Sequence, residues 1–260
     1  MNKACPKIIG KNLTVAYGDY VLLQHADFTV NQGDVFIIMG ASGGGKSSLM
    51  AALGKEYHRR GETVIMTTTT HIRPPRENGY MGDDAAVLGS LLASCRLMTV
   101  GTMSEERKFG PSPLLEQLPE LADRVIIEAD GTKGLPLKVP NDREPVIPPF
   151  ADAVIAVAGL SALGRPLGEV CHRPELAKLR FDLEPDQIVT PELMAMLLSS
   201  PLAQRKDVGS RPYAVLLNQA DRARPDEIAA LGTLLLQKGV ERVVTAALQR
   251  RPGEYEVWKR

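Results

Sequence analysis

Gly40-Ala41-Ser42-Gly43-Gly44-Gly45-Lys46-Ser47 has the spacing GxxxxGK[ST], and these residue types suit the binding of a nucleoside triphosphate. Glycines let backbone N–H groups turn inward around phosphate oxygens, and a helix opening behind them adds its partial positive charge. Lys46 then reaches the β- and γ-phosphates, and the Ser47 hydroxyl is a ligand for Mg²⁺. Gly40, Ser42, Gly43, Gly44, Gly45, Lys46, Ser47 and Ser48 are the candidate phosphate-binding residues.

Three further constellations accompany this loop. Arg124-Val125-Ile126-Ile127-Glu128-Ala129-Asp130 is a hydrophobic run ending in two carboxylates, where a P-loop enzyme places the acid that holds the Mg²⁺ water shell. We assign that role to Asp130, and to Glu128 the orientation of water or substrate, which makes Lys46, Glu128 and Asp130 the catalytic candidates. Thr67-Thr68-Thr69-Thr70-His71 ends another apolar run; its hydroxyls can face the metal or the γ-phosphate, with Thr68 the metal candidate, or simply suit a strand end as β-branched residues. Leu217-Asn218-Gln219-Ala220-Asp221 is similar to the NKxD guanine-recognition element, with Gln where Lys normally stands. It reads either as a base contact through Asn218 and Asp221 or as an Asn/Asp turn leaving a strand. Lys133, Lys138, Arg143 and Arg173 are candidate anion contacts from the long loops, and His71 and His172 lie near candidate loops without ligand spacing.

The elements that hold these residues follow from periodicity. Val35–Met39 reads as a buried strand leading into the P-loop. Beyond it the pattern predicts helix 46–60, strand 62–67, helix 83–94, strand 97–101, helix 112–122 and strand 124–128. After an irregular, Pro- and Gly-rich segment 129–150, read as an active-site loop, come strand 152–158, a mixed stretch to about 183, helix 191–204, strand 212–217, helix 225–238 and strand 240–246. Such alternation implies an α/β fold of the P-loop nucleoside triphosphatase type, a mostly parallel sheet flanked by helices. Residues 7–30 alternate β-favouring runs with polar turns and predict a small antiparallel β section, so the expected division is 1–33 and 34–260.

Composition narrows the function. Thirty-one basic and 31 acidic residues cancel in a chain of 260, without a dense basic run, so a nucleic-acid or anionic-membrane partner is not expected. The cysteines, Cys5, Cys95 and Cys171, are odd in number and form no CxxC, which argues against a disulfide framework or structural zinc and for a reducing cytoplasm. No segment approaches the roughly 20 apolar residues that span a bilayer.

Several motifs in order resemble the YqeC-type family, over about residues 35–260: Gly43-Gly44-Gly45-Lys46-Ser47, Thr67 to His71, Glu128-Ala129-Asp130-Gly131, Pro136-Leu137-Lys138-Val139-Pro140, Glu144-Pro145-Val146-Ile147-Pro148, Gly159-Leu160 to Gly164, His172-Arg173-Pro174-Glu175 and Leu217 to Asp221. The resemblance implies a P-loop accessory protein for maturation of selenium-dependent molybdenum hydroxylases, hydrolysing ATP or GTP with Mg²⁺. About residues 7–40 instead resemble the opening of an ATP-binding cassette ATPase, in which the residue at the Tyr17 position stacks on adenine. The cassette signature LSGGQ, a Gln loop and a Walker B strand ending in an adjacent Asp-Glu pair are not found; Glu128-Ala129-Asp130 departs from that Walker B. A cassette-type ATPase, a phosphoryl or nucleotidyl transferase and a non-catalytic nucleotide-gated binding module are the alternative readings.

Overall fold

A computed structural model describes residues 6–17, 20–31, 34–72, 74–75, 77–104, 108–130, 134–251 and 253–259, with the backbone alone for 6–17, 20–31 and Ser42. Strands β1 (Pro6–Tyr17) and β2 (Tyr20–Asn31) form an antiparallel hairpin with several register shifts, a two-stranded sheet of its own. Then follow β3 (Asp34–Gly40), α1 (Lys46–Arg59), β4 (Val64–Thr68), β5 (Gly79–Tyr80), α2 (Ala85–Cys95) and β6 (Leu97–Val100). Two-residue strands β7 (Thr102–Met103) and β8 (Phe109–Gly110) pair with each other, ahead of α3 (Leu118–Leu121) and β9 (Arg124–Glu128). The chain continues through β10 (Leu137–Lys138), β11 (Ala153–Gly159), α4 (Leu167–Val170), β12 (Cys171–His172), α5 (Pro174–Phe181) and α6 (Pro191–Ser199). It ends with β13 (Tyr213–Asn218), α7 (Pro225–Gln237), β14 (Arg242–Ala246) and β15 (Tyr255–Lys259).

The principal sheet has nine strands in the order β15-β14-β13-β11-β3-β9-β4-β6-β5, parallel except at the antiparallel edge β15. Strands buried on both faces should read as continuous apolar runs, and β3 and β9 do. Their side chains alternate between two layers. Ile37, Met39, Val125 and Ile127 join the core that holds Leu88 and Leu92 of α2 and Leu231 and Leu235 of α7. Ile38 and Ile126 face the opposite cluster, with Leu49 and Met50 of α1. Helices therefore cover both faces, and the chain has the P-loop nucleoside triphosphatase fold.

Local chemistry sets the element ends. Asp84 caps α2 by accepting from the N–H groups of Ala86 and Val87, and the Thr190 hydroxyl accepts from Leu193 N–H at the start of α6. Two expected helices are shorter than their apolar pattern. The 112–122 pattern yields only Leu118–Leu121, since Pro119 is tolerated in the first turn of a helix but not in its interior, so no helix from 112 can run through it, and α6 stops at Ser199 ahead of Pro201. Helix α5 and edge strand β15 occupy stretches for which the sequence pattern predicted no regular element.

Candidate functional site

Parallel register brings the chemistry to one end of the sheet. Glu128 lies level with Ile38 on one side and Thr68 on the other, Val157 is level with Gly40, and Gly159 with Asn218. The carboxyl ends of five neighbouring strands thus surround the loop between β3 and α1, the usual ligand edge of an open α/β sheet. Gly40 takes φ +117°, and a Cβ there would lie 2.1 Å from the Val157 carbonyl oxygen. Gly45, at φ +103°, sits where a Cβ would come within 2.2 Å of Asn218 Nδ2. Both positions are open only to glycine. Helix α1 starts immediately behind Gly45, so its first-turn N–H groups, from Lys46 to Ser48, have no carbonyl one turn back within the helix to bond.

Lys46 is 1% exposed, and its ammonium donates to the carbonyls of Gly40 (2.7 Å) and Asp130 (2.6 Å) and to the Asp130 carboxylate, with Glu128 Oε1 at 3.2 Å. Asp130 is equally buried. Its Oδ1 takes Lys46, while Oδ2 accepts from Gly40 N–H (2.9 Å) and from Lys138 Nζ (3.1 Å). Burial pushes the Glu128 carboxyl above the ordinary carboxylate range, Lys46 pulls against that shift, and Asp130 adds to it. Glu128, unlike Asp130, lines the pocket described below.

The threonines do other work than the sequence pattern anticipated. Thr67 donates to the Val100 carbonyl, Thr68 to Glu128 and Thr69 to Val146, and the Thr68 hydroxyl also accepts from Thr70 N–H. Thr67 and Thr68 are completely buried. The expected Mg²⁺ bond from Thr68 is corrected: its oxygen is engaged on both sides in holding β4 against the end of β9, beneath the site.

Asn218 and Gln219 brace the P-loop. Asn218 Nδ2 donates to the Gly44 carbonyl (2.8 Å) while its Oδ1 accepts from Leu248 N–H (3.0 Å), and Gln219 Nε2 donates to the Gly43 carbonyl (3.0 Å). The Gln that departs from NKxD thus fastens the loop, a role its divergence concealed in the sequence. Asp221 lies at the pocket wall with Arg250 Nε at 3.7 Å. The Tyr17 ring, the Ser42 side chain and Lys133 lie outside the described part of the structure. Arg143 is exposed, and Arg173 pairs with Glu144 (2.8 Å).

An open pocket of about 1090 Å³ joins these parts. Its lining includes Gly43, Gly45, Ser47, Ser48 and Glu128, together with Asn218, Gln219, Asp221, Arg222 and Arg250 and with His71, Pro74, Pro75 and Lys108. Lys108 and the Arg222 and Arg250 wall were not singled out by any motif. The Ser47 hydroxyl and the Glu128 carboxylate both line the pocket, and oxygen donors of this kind fit Mg²⁺. Among the described residues no group of three His, Cys, Asp or Glu side chains could itself hold a metal, and no helix is long and apolar enough to cross a membrane.

Fold, loop and pocket together define a P-loop nucleotide-binding protein. Residues 38–175 match the family model described as YqeC protein. The chain is 33% identical over 184 residues to the YqeC protein of Escherichia coli (strain K12), covering 67% of this chain and 71% of that one. It belongs to the YqeC family. It is also 42% identical over 86 residues to the lipoprotein-releasing system ATP-binding protein LolD of Alcanivorax borkumensis, covering 31% of this chain and only 38% of LolD. A crystal structure of FlhF complexed with GMPPNP/Mg(2+) superposes with a TM-score of 0.43 at 13% identity, over 87% of this chain and 70% of FlhF.

Proposed function

We propose that the chain is a Mg²⁺-dependent nucleoside triphosphatase whose turnover serves the maturation of a selenium-dependent molybdenum hydroxylase. The observation that carries the enzymatic part is Lys46 seated between two carboxylates at the joined ends of β3 and β9, beside a loop whose glycines are held open. A triphosphate entering the pocket attracts Lys46 away from Glu128 and Asp130 to its β- and γ-oxygens, exchanging one anion partner for another. Ser47 and Asp130 would hold Mg²⁺, Asp130 through the metal's water shell. The ion, when bound, neutralises charge on the transferring phosphate. Glu128, whose carboxylate lines the pocket, orients the attacking water.

The base belongs on the wall formed by Asp221, Arg222 and Arg250, and Asp221 can accept from both guanine N–H groups, so GTP is the preferred substrate in this reading. The service to a hydroxylase is supported by family resemblance.

The test is a titration with ATP and with GTP in Mg²⁺, following binding and phosphate release together. A GTP preference lost in Asp221→Ala is the expected result. An ATP preference lost in Tyr17→Ala would instead put the base on the N-terminal hairpin. Nucleotide binding without phosphate release, even with a hydroxylase present, would overturn the triphosphatase reading in favour of a binding module. Cells lacking the protein should lose hydroxylase activity, regained with the wild-type chain but not with Lys46→Ala.

A further inference from the structure

Lys138 is the least expected charge in the molecule. It sits on β10, pinned by pairing with β12 and by Gln204 Nε2, which donates to its carbonyl (2.6 Å). Its side chain is 0% exposed, and its ammonium lies 3.1 Å from Asp130 Oδ2 and 2.8 Å from Glu144 Oε2. Glu144 in turn receives Arg173 at 2.8 Å. Withdrawing an ammonium from water costs several kcal/mol even after the protein relaxes, so a buried cation calls for its own explanation.

Charge counting supplies one. Among the described residues the connected cluster contains three anions, Glu128, Asp130 and Glu144, and three cations, Lys46, Lys138 and Arg173. With Lys46 seated, the pair Glu128 and Asp130 offers a divalent cation no net negative charge. Once Lys46 has gone to a triphosphate, one negative charge is uncovered at the end of β9. Were Lys138 missing, that charge would already be present in the empty protein.

We propose that Lys138 is a positioning residue that sets the charge of the magnesium-facing carboxylates, so that the empty site rejects a free divalent cation and accepts one only together with nucleotide. The proposal rests on the reading of the pocket as a triphosphate site. Lys138 touches neither nucleotide nor metal; it acts through Asp130, which it holds in place and keeps half neutralised.

The experiment measures Mn²⁺ uptake by the nucleotide-free protein, from the electron paramagnetic resonance signal of free Mn²⁺, alongside binding of a fluorescent GTP analogue in EDTA. The wild-type protein should take up little Mn²⁺ alone. Lys138→Met should gain at least tenfold in Mn²⁺ affinity and keep its EDTA nucleotide affinity within about threefold. The Lys138→Met/Glu144→Gln double variant removes one charge of each sign, relieves the folding penalty of the single change and leaves no carboxylate pair in the vacated space; because Lys138, and not Arg173, lies against Asp130, it should show a gain in the same direction, smaller by the pull of the Arg173 charge that Glu144 no longer holds. Lys138→Arg, which keeps the charge, should match wild type.

A folded double variant with wild-type Mn²⁺ uptake overturns the proposal. So does strong Mn²⁺ uptake by the wild-type protein without nucleotide, or by Lys138→Arg. Failure of the wild-type protein to bind nucleotide in EDTA would defeat the reading of the pocket instead, a result distinct from any change in Mn²⁺ uptake.

Discussion

Lys46 and Asn218 illustrate how far side-chain type predicts role. The sequence marks Lys46 for phosphate, and the structure shows where that ammonium waits when no phosphate is present: in a buried cage of carbonyls and carboxylates. Lys46→Ala should therefore lower triphosphate affinity or turnover at least about tenfold, since it removes the charge aimed at the β- and γ-phosphates. It should also cost stability, on the order of 3 kcal/mol, because Glu128 and Asp130 lose a buried partner. Thermal melts with and without nucleotide separate the two effects. Asn218 was legible as a functional residue through its neighbourhood, but its work is internal: both ends of its amide are spent on backbone at Gly44 and Leu248. Asn218→Ala should weaken ATP and GTP binding alike, because it loosens the phosphate loop and not the base contact. Two buried hydrogen bonds at about 1 kcal/mol each set the expected loss of stability. A selective loss of GTP affinity in that variant would restore the direct base contact that the NKxD likeness implied.

Among strands and loops, what the sequence revealed depends on whether the signal was local. The β3 and β9 strands were plain from unbroken apolar runs, and the helix after the P-loop from its glycine-rich entry. Segment 129–150 reads from its prolines as irregular, yet nothing in its pattern announces that Lys138 and Glu144 would close a buried ion chain with Asp130 and Arg173, residues brought together across 8 to 29 positions of sequence. The same blindness hid β15, whose short run gains its stability from pairing with β14 and from Trp258 lying over Gly232. The ion chain has a pH signature. Burial alone would push the Glu144 carboxyl up, but hydrogen bonds and charge from Lys138 and Arg173 outweigh it and hold the group below its ordinary 4.5. A depressed carboxyl stabilises the fold fully above the unfolded value and loses that contribution as pH falls through the folded one. Glu144→Gln should thus lower the melting temperature by several degrees at pH 7, with the gap to wild type shrinking as the pH is taken from about 5 toward 3. A gap that stays constant over that range would mean that Glu144 acts by shape and not by charge.

Across the chain, two resemblances meet at β3. The segment before it is like the opening of a cassette ATPase, and residues 38–175 match the YqeC family model. Both kinds of protein need a strand feeding a phosphate loop, so a junction there breaks no packing rule. The principal sheet draws all nine of its strands from residue 34 onward, and among the described side chains so do the two core layers. We expect a chain segment that holds a complete nine-stranded sheet to fold without the preceding hairpin. A protein beginning at Asp34 should therefore melt within a few degrees of the full chain and bind triphosphate with unchanged affinity, measured side by side with the same fluorescent analogue. Loss of ATP binding alone in the shortened protein would mean that Tyr17 or its neighbours reach the base, and would shift the functional reading toward adenine. Loss of folding would show that the hairpin covers a surface the nine-stranded sheet cannot leave bare.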